Sequence, residues 1–319
     1  MSFLEVLYFM APVSIAYAAP LIFTALGGVF SERSGVVNIA LEGLMVMGAF
    51  IGILFNLFFY DTFGNWTPWV ALLAAMIISG IFSLLHAVAS ITFRADQVVS
   101  GVAINMLGLA VALFLTKLIF DKGQTDFIKK AIPNFNIPFL EDIPVIGPML
   151  FKGVYGSSIL AVLAAIIAWY VIFKTPFGLR LRAVGEHPMA ADTMGIHVNK
   201  IRYIAVVISG ALAGIGGAIY SQTMTRDFGH ATINGQGFMA LAAMIFGKWH
   251  PIGAMGAAIF FGFAQALAVV GPSIPIIKEI PTGYLHALPY VLTILALAGF
   301  IGKASGPKAN GKPYIKGSR

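Results

Sequence analysis

Residues 174–202 read KTPFGLRLRAVGEHPMAADTMGIHVNKIR, a polar stretch between two long apolar runs that carries five basic residues against two acidic ones. Within it the pattern predicts a short helix over 188–194. Pro188 stands where a first helical residue tolerates proline, and Gly195 stands where a helix commonly stops. A two-turn helix held between membrane spans is a docking element. The chain therefore reads as one part of a machine whose motor lies in another subunit.

The flanking composition sets the class. The chain has 319 residues, 59% of them hydrophobic and only 10% charged, with mean hydropathy +0.89. Soluble domains carry about 25% charged residues. A soluble chain of this length has no core large enough to hide so much apolar surface, so the bilayer is its solvent. The absence of cysteine excludes disulfides, thiol catalysis and cysteine metal sites. The net charge of +7 is concentrated in particular loops and the tail, which fits membrane orientation better than nucleic-acid binding. The first residues, MSFLEVLYF, lack a basic n-region and a small-residue cleavage site, so the first apolar run reads as a retained span.

Apolar runs occur at about 4–30, 37–60, 69–93, 102–120, 157–173, 204–222, 251–271 and 285–302. A shorter run at about 237–248 reads as a broken or thin span. The expectation is an all-α polytopic bundle with about nine spans (eight to ten), forming one transmembrane domain over 1–303 and a basic tail over 304–319. Segment 174–202 and the tail, which has Lys303, Lys308, Lys312, Lys316 and Arg319 but no acid, belong on the cytoplasmic side. Loop 121–156 balances four lysines with four acids, and loops 223–236 and 271–284 hold one charge of each sign, so these belong outside. Working back places Arg33 and Arg94 inside and the N-terminus outside. Gly210 and Gly214, then Ser209, Ala213 and Gly217, then Gly48 and Gly52, and Gly253 and Ala257 recur at four-residue spacing, a pattern that lets helix backbones approach.

The second span opens with SERSGVVNIALEGLMVMGAF at 31–50. Asn38 and Glu42 share one face if this segment is helical. A carboxylate inside a span is costly, so Glu42 faces the bundle, a water-filled cavity or an interrupted backbone. Two readings follow: a substrate-path or gating residue, or a structural carboxylate fastening two helices. Asn105, the deeper polar residue of RADQVVSGVAIN at 94–105, reads as a ligand contact or as an interhelical hydrogen bond, while His86 reads as a packed or interfacial histidine. Lys248, Trp249 and His250 sit in a Gly- and Pro-punctuated corner, read as a tight turn or a partner contact. GPKANGKP at 306–313 nearly matches a phosphate loop, but Pro313 replaces the hydroxyl that would hold magnesium and no strand precedes it, so it reads as a solvated basic tail beside anionic lipid. No metal-ligand spacing or nucleophile motif appears, which argues against an enzyme.

SERSGVVNIALEGLMVMGAF, RADQVVSGVAIN, LRAVGEHPMAADTMGIHVNKIRYIAVVISGALAGIGGAIY and GFMALAAMIFGKWHPIGAMGAAIFFGFAQAL together resemble the permease subunits of ABC importers, in the branch that handles simple sugars, nucleosides and branched-chain amino acids. The likeness covers roughly 20–303 and is nearest the nucleoside (guanosine-type) permeases of Gram-positive bacteria. It implies a type II-like permease fold in the plasma membrane and nucleoside import driven by ATP and magnesium on partner ATPase subunits, with no cofactor bound by this chain. It also implies a second permease subunit of different sequence and a lipid-anchored extracytoplasmic binding protein. The family's ATPase-coupling segment matches this chain at Arg180, Arg182, Gly185, Glu186, Pro188, Ala191 and Gly195, so coupling is carried onto those residues. Asn38, Glu42 and Asn105 are the substrate-path candidates. Simple sugars, branched-chain amino acids and an ion-coupled secondary transporter are the alternatives.

Overall fold

A computed structural model describes residues 3–274, 277, 280–299 and 306–317. The expected bundle–tail boundary at 303, and the charges of Lys278, Glu279, Lys303 and Arg319, lie outside the described residues. Most of the described residues are helical. α1 (Phe3–Arg33) ends in a non-helical stretch at 34–40, which leads into α2 (Leu41–Phe63). A one-turn connection at Gly64–Trp66 reverses the chain into α3 (Thr67–Ala87), and α4 (Gln97–Phe120) follows. A long loop carries the two-residue strands β1 (Asn134–Phe135) and β2 (Val154–Tyr155), paired antiparallel, with α5 (Ile146–Leu150) between them. Then come α6 (Gly156–Lys174), α7 (Pro176–Glu186), α8 (Pro188–Thr193), α9 (Val198–Tyr220), α10 (Gln236–Phe246), α11 (Pro251–Val270) and α12 (Thr282–Gly299).

α1 and α9 form the centre. α1 packs on α6, α9, α10 and α11, while α9 also receives α2 and α3. Small residues make these approaches possible, as their spacing predicts. Gly48 lies against the backbone of Gly214, and a Cβ at Gly217 would overlap the Met45 carbonyl oxygen. Lipid supplies no hydrophobic drive between helices, so such close van der Waals contact is what holds the bundle together. The outer faces of α3 and α4 present Ile77, Ile81, Met106, Phe114 and Leu118, all exposed.

Six segments of the described residues are long and apolar enough to cross a membrane. One of them, Leu41–Thr92, contains α2 and α3 folded against each other. α10 has only 11 residues, about 16 Å of helix against a hydrocarbon core of about 30 Å. Length and hydropathy therefore support six such segments among the described residues, one of them a folded pair of helices, and the expected nine spans are not reached by that measure.

Contacts separate the two ends of the bundle. At one end lie Arg33, Arg94, α7, α8, the 247–250 corner and residues 306–317. At the other, Asp61 pairs with Lys129 at 3.2 Å, and Thr125 N–H donates to Phe228 O at 2.8 Å.

The tail departs from expectation. It is not a solvated strand but lies along the bundle, with Ala309 and Tyr314 buried. Ala309 N–H donates to Gly185 O at 2.9 Å, and Arg202 Nη1 donates to Lys312 O at 3.0 Å. Arg202 is itself 1% exposed, and its guanidinium needs acceptors that helix geometry does not supply, so the tail carbonyl meets that need. Lys308, Lys312 and Lys316 remain exposed between the buried positions, which is why composition alone reads the segment as solvated.

Candidate functional site

Two interruptions of the helical backbone meet inside the bundle, and Glu42 joins them. The first is 34–40. Buried backbone groups that leave a helix need other partners, and side chains from three neighbouring elements provide them. Val37 N–H donates to Gln97 Oε1 at 2.7 Å, and the His86 ring lies 3.0 Å from Val37 O. Asn38 Oδ1 accepts Ala40 N–H at 3.1 Å while its Nδ2 donates to Ser209 Oγ on α9 at 2.7 Å. Asn105 donates to Ile39 O at 2.9 Å and accepts Gly43 N–H at 2.7 Å. Asn38 is therefore in the break rather than on the helix face that spacing suggested, and both asparagines hold the entry to α2. His86 is packed, as its sequence context indicates.

The second interruption is the non-helical stretch 226–235 ahead of α10. The chain starts it beside Thr125 at one end and, after α10, reaches the 247–250 corner at the other. Glu42 closes the gap between the two breaks. Its Oε1 accepts Gly235 N–H at 2.5 Å and its Oε2 accepts Gly237 N–H at 2.6 Å. These are unsatisfied donors at the start of α10, where a carboxylate also complements the helix dipole. Gly235 has φ +90, and a Cβ at Gly237 would lie 2.5 Å from Glu42 Cα, so glycine at both positions allows the approach.

Beside this cap lies a cavity of about 160 Å³ that residue types along the sequence do not single out. Gln236 Nε2 donates to Tyr220 Oη at 3.0 Å, and Gln236 Oε1 accepts Asn234 N–H at 2.5 Å. Tyr290 Oη donates to Asn234 O at 3.1 Å, and Tyr17 meets Tyr220 edge-on with ring centroids 6.3 Å apart. The one sequence signal was Gly235-Gln236-Gly237 opening an apolar run too short to cross.

The charged end is built from α7 and α8. α8 begins at Pro188 and Gly195 ends it at φ +80, so the predicted helix is present within one residue. Arg180 and Gly195 are exposed, and Leu179 and Met194 beside them are 63% and 82% exposed. Arg182, Glu186 and Pro188 are half-buried. The Arg182 guanidinium lies 5.0 Å from the centre of the Phe173 ring. Gly185 and Ala191 face inward: Gly185 packs on the Arg33 carbonyl, and Ala191 is 4% exposed. Trp249 is buried too, donating from Nε1 to Glu32 Oε2 at 2.6 Å, and Asn310 Nδ2 reaches the same oxygen at 2.9 Å. Burial, and then the nearby Arg33 cation, push the His250 imidazole below its ordinary pKa. Its ring lies 4.9 Å from that of Phe173.

Comparison with known proteins places this architecture. Residues 12–297 match the family described as branched-chain amino acid transport system / permease component. The chain is 61% identical over 319 residues, the whole of both chains, to the guanosine ABC transporter permease protein NupQ of Bacillus subtilis. It is 52% identical over 95% of both chains to the nucleoside ABC transporter permease protein NupC of Lactococcus lactis. Bacillus subtilis has a second guanosine permease protein, NupP, which is 25% identical over 90% of this chain and 80% of its own. A solved metal-chelate type ABC transporter in an inward-facing conformation shares the fold, with TM-score 0.51 and 14% identity over 91% of this chain and 85% of that one. A multi-pass helical bundle with this match over nearly its full length belongs to the branched-chain amino acid transport system permease family.

Proposed function

We propose that this chain is the membrane permease subunit of an ABC importer for nucleosides. The observation that carries the reading is 61% identity, end to end, with a guanosine permease. ABC permeases hydrolyse nothing themselves, so the energy comes from ATP and magnesium on partner ATPase subunits. The exposed Leu179, Arg180, Met194 and Gly195 around α8 form the seat for the ATPase, with Gly185 and Ala191 fixing α7 and α8 against the bundle. A second permease of different sequence completes the path, a reading supported by the presence of two guanosine permease proteins, NupQ and NupP, in one organism. An extracytoplasmic binding lipoprotein delivers the substrate.

In this reading the α7–α8 end is cytoplasmic and the N-terminus of α1 lies outside the plasma membrane. The nine crossings are α1, α2, α3, α4, α6, α9, the broken 226–246 segment, α11 and α12. ATP binding moves α8 and the bundle together between inward- and outward-open states, through contacts that differ between those states. The substrate passes the Glu42–α10 junction. Both Glu42 oxygens are engaged by backbone N–H groups, which weighs against the proton relay of a secondary transporter.

Uptake tests the reading. Cells lacking only this chain are offered labelled guanosine, adenosine, uridine, ribose and leucine, with the chain restored as control. Selective loss of nucleoside uptake is the expected result. Loss of ribose or leucine uptake alone would overturn the substrate.

A further inference from the structure

Among the described residues, the wall of the cavity beside α10 is made by Tyr17, Tyr220, Gln236, Gln265 and Tyr290 with apolar residues between them, and no lysine, arginine, aspartate, glutamate or histidine of that set lines it. The N-terminus of α10 would ordinarily attract an anion, but Glu42 has taken that position from the other side. A charged ligand therefore finds no counter-charge here. At about 160 Å³ the space is smaller than the roughly 300 Å³ at which pockets for drug-sized ligands begin, and it suits a single ring system.

The polar groups of this wall differ in availability. Gln236 is spent on Tyr220 and Asn234. Gln265, on α11, is 8% exposed; among the described residues its Oε1 has no hydrogen-bond partner and its Nε2 meets the Met239 sulfur at 3.5 Å. A buried carbonyl oxygen without a donor is destabilising, and thioether sulfur is a weak acceptor. This carboxamide carries an unpartnered buried acceptor and belongs to the same wall as three tyrosines.

We propose that this cavity holds the base of the nucleoside in transit, with Gln265 Oε1 accepting an N–H from the edge of the base and the tyrosine rings covering its faces. The assignment rests on the nucleoside reading above. It names Gln265 as a specificity-determining residue and leaves the ribose outside the cavity. A neutral heterocycle carrying an N–H edge satisfies the orphan oxygen, whereas an analogue without such a donor leaves it unpaired. Sites built around one buried polar group discriminate by that pairing.

The test uses the whole transporter, with both permeases and the ATPases reconstituted in vesicles and the binding protein saturated. Maximal transport rates are compared for guanosine, which has N–H donors on its base edge, and purine riboside, which has none. Gln265→Met keeps the side-chain length and removes the acceptor. Gln265→Glu keeps an acceptor and serves as the second variant. The expected result is a fall of about tenfold for guanosine with Gln265→Met, a change under about twofold for purine riboside, and a smaller guanosine loss with Gln265→Glu. Equal losses for the two nucleosides, or no loss for either, would overturn the assignment. If the unsubstituted transporter moves neither nucleoside but moves ribose, the nucleoside reading itself falls and this inference with it.

Discussion

Glu32 and Glu42 are two inward-turned carboxylates on either side of one backbone break, yet they are satisfied in different ways. Glu32 receives two side-chain donors, Trp249 Nε1 and Asn310 Nδ2, which converge on Oε2, and the Asn38 backbone N–H also lies beside the carboxylate. Glu42 is met by backbone donors, the Gly235 N–H on Oε1 and the Gly237 N–H on Oε2, with the Phe238 N–H beside them. Side-chain donors can rotate to another partner when the acceptor is lost. Backbone N–H groups at the start of a helix cannot move without unwinding it. Glu32 thus ties the 247–250 corner and the tail to the end of α1, and Glu42 holds a half-helix in the middle of the bundle.

Replacing each carboxylate by its amide breaks or sharpens this contrast. Glu42→Gln leaves one oxygen for two N–H donors and turns an NH2 against the other, so the largest effect is expected here, a loss of about 2–3 kcal/mol. Uptake should fall to near background, and hydrogen exchange should quicken through α10. Wild-type uptake with normal assembly would remove Glu42 from any part in the path. Glu32→Ala comes next, at about 1–2 kcal/mol, read by tryptophan fluorescence during thermal unfolding and by faster exchange over 306–317. Glu32→Gln should cost least, under about 1 kcal/mol, because a single amide oxygen still serves both donors. Equal destabilisation by the two amide substitutions would show that the one-oxygen and two-oxygen arrangements do not matter.

The α8 helix was legible in the sequence because its signals are local. Pro188 presets a first helical turn and Gly195 supplies the positive φ that ends it. The small-residue faces were legible for the same reason, as a four-residue spacing fixes which residues share a helix face. Glu42 could be marked as buried and costly, and an interrupted backbone was among the surroundings its cost required. Which backbone it caps could not be read, since Gly235 lies 193 residues away along the chain. Tyr17, Tyr220, Gln265 and Tyr290 looked like ordinary span residues, and only folding brings them around one cavity.

The sequence alone determined that this chain lives in a bilayer, that its basic segments gather at one end, and that a short helix interrupts the spans. Those properties depend on composition, charge and local backbone preference, which each residue carries wherever it stands. Only the tertiary structure decided that the basic tail folds back onto the bundle and that α10 is a half-helix held by Glu42. It also decided that, among the described residues, a buried amide oxygen in an uncharged cavity is left without a donor. The reason is physical: a buried polar group must find its partner in space, and the partner's distance along the chain leaves no local trace.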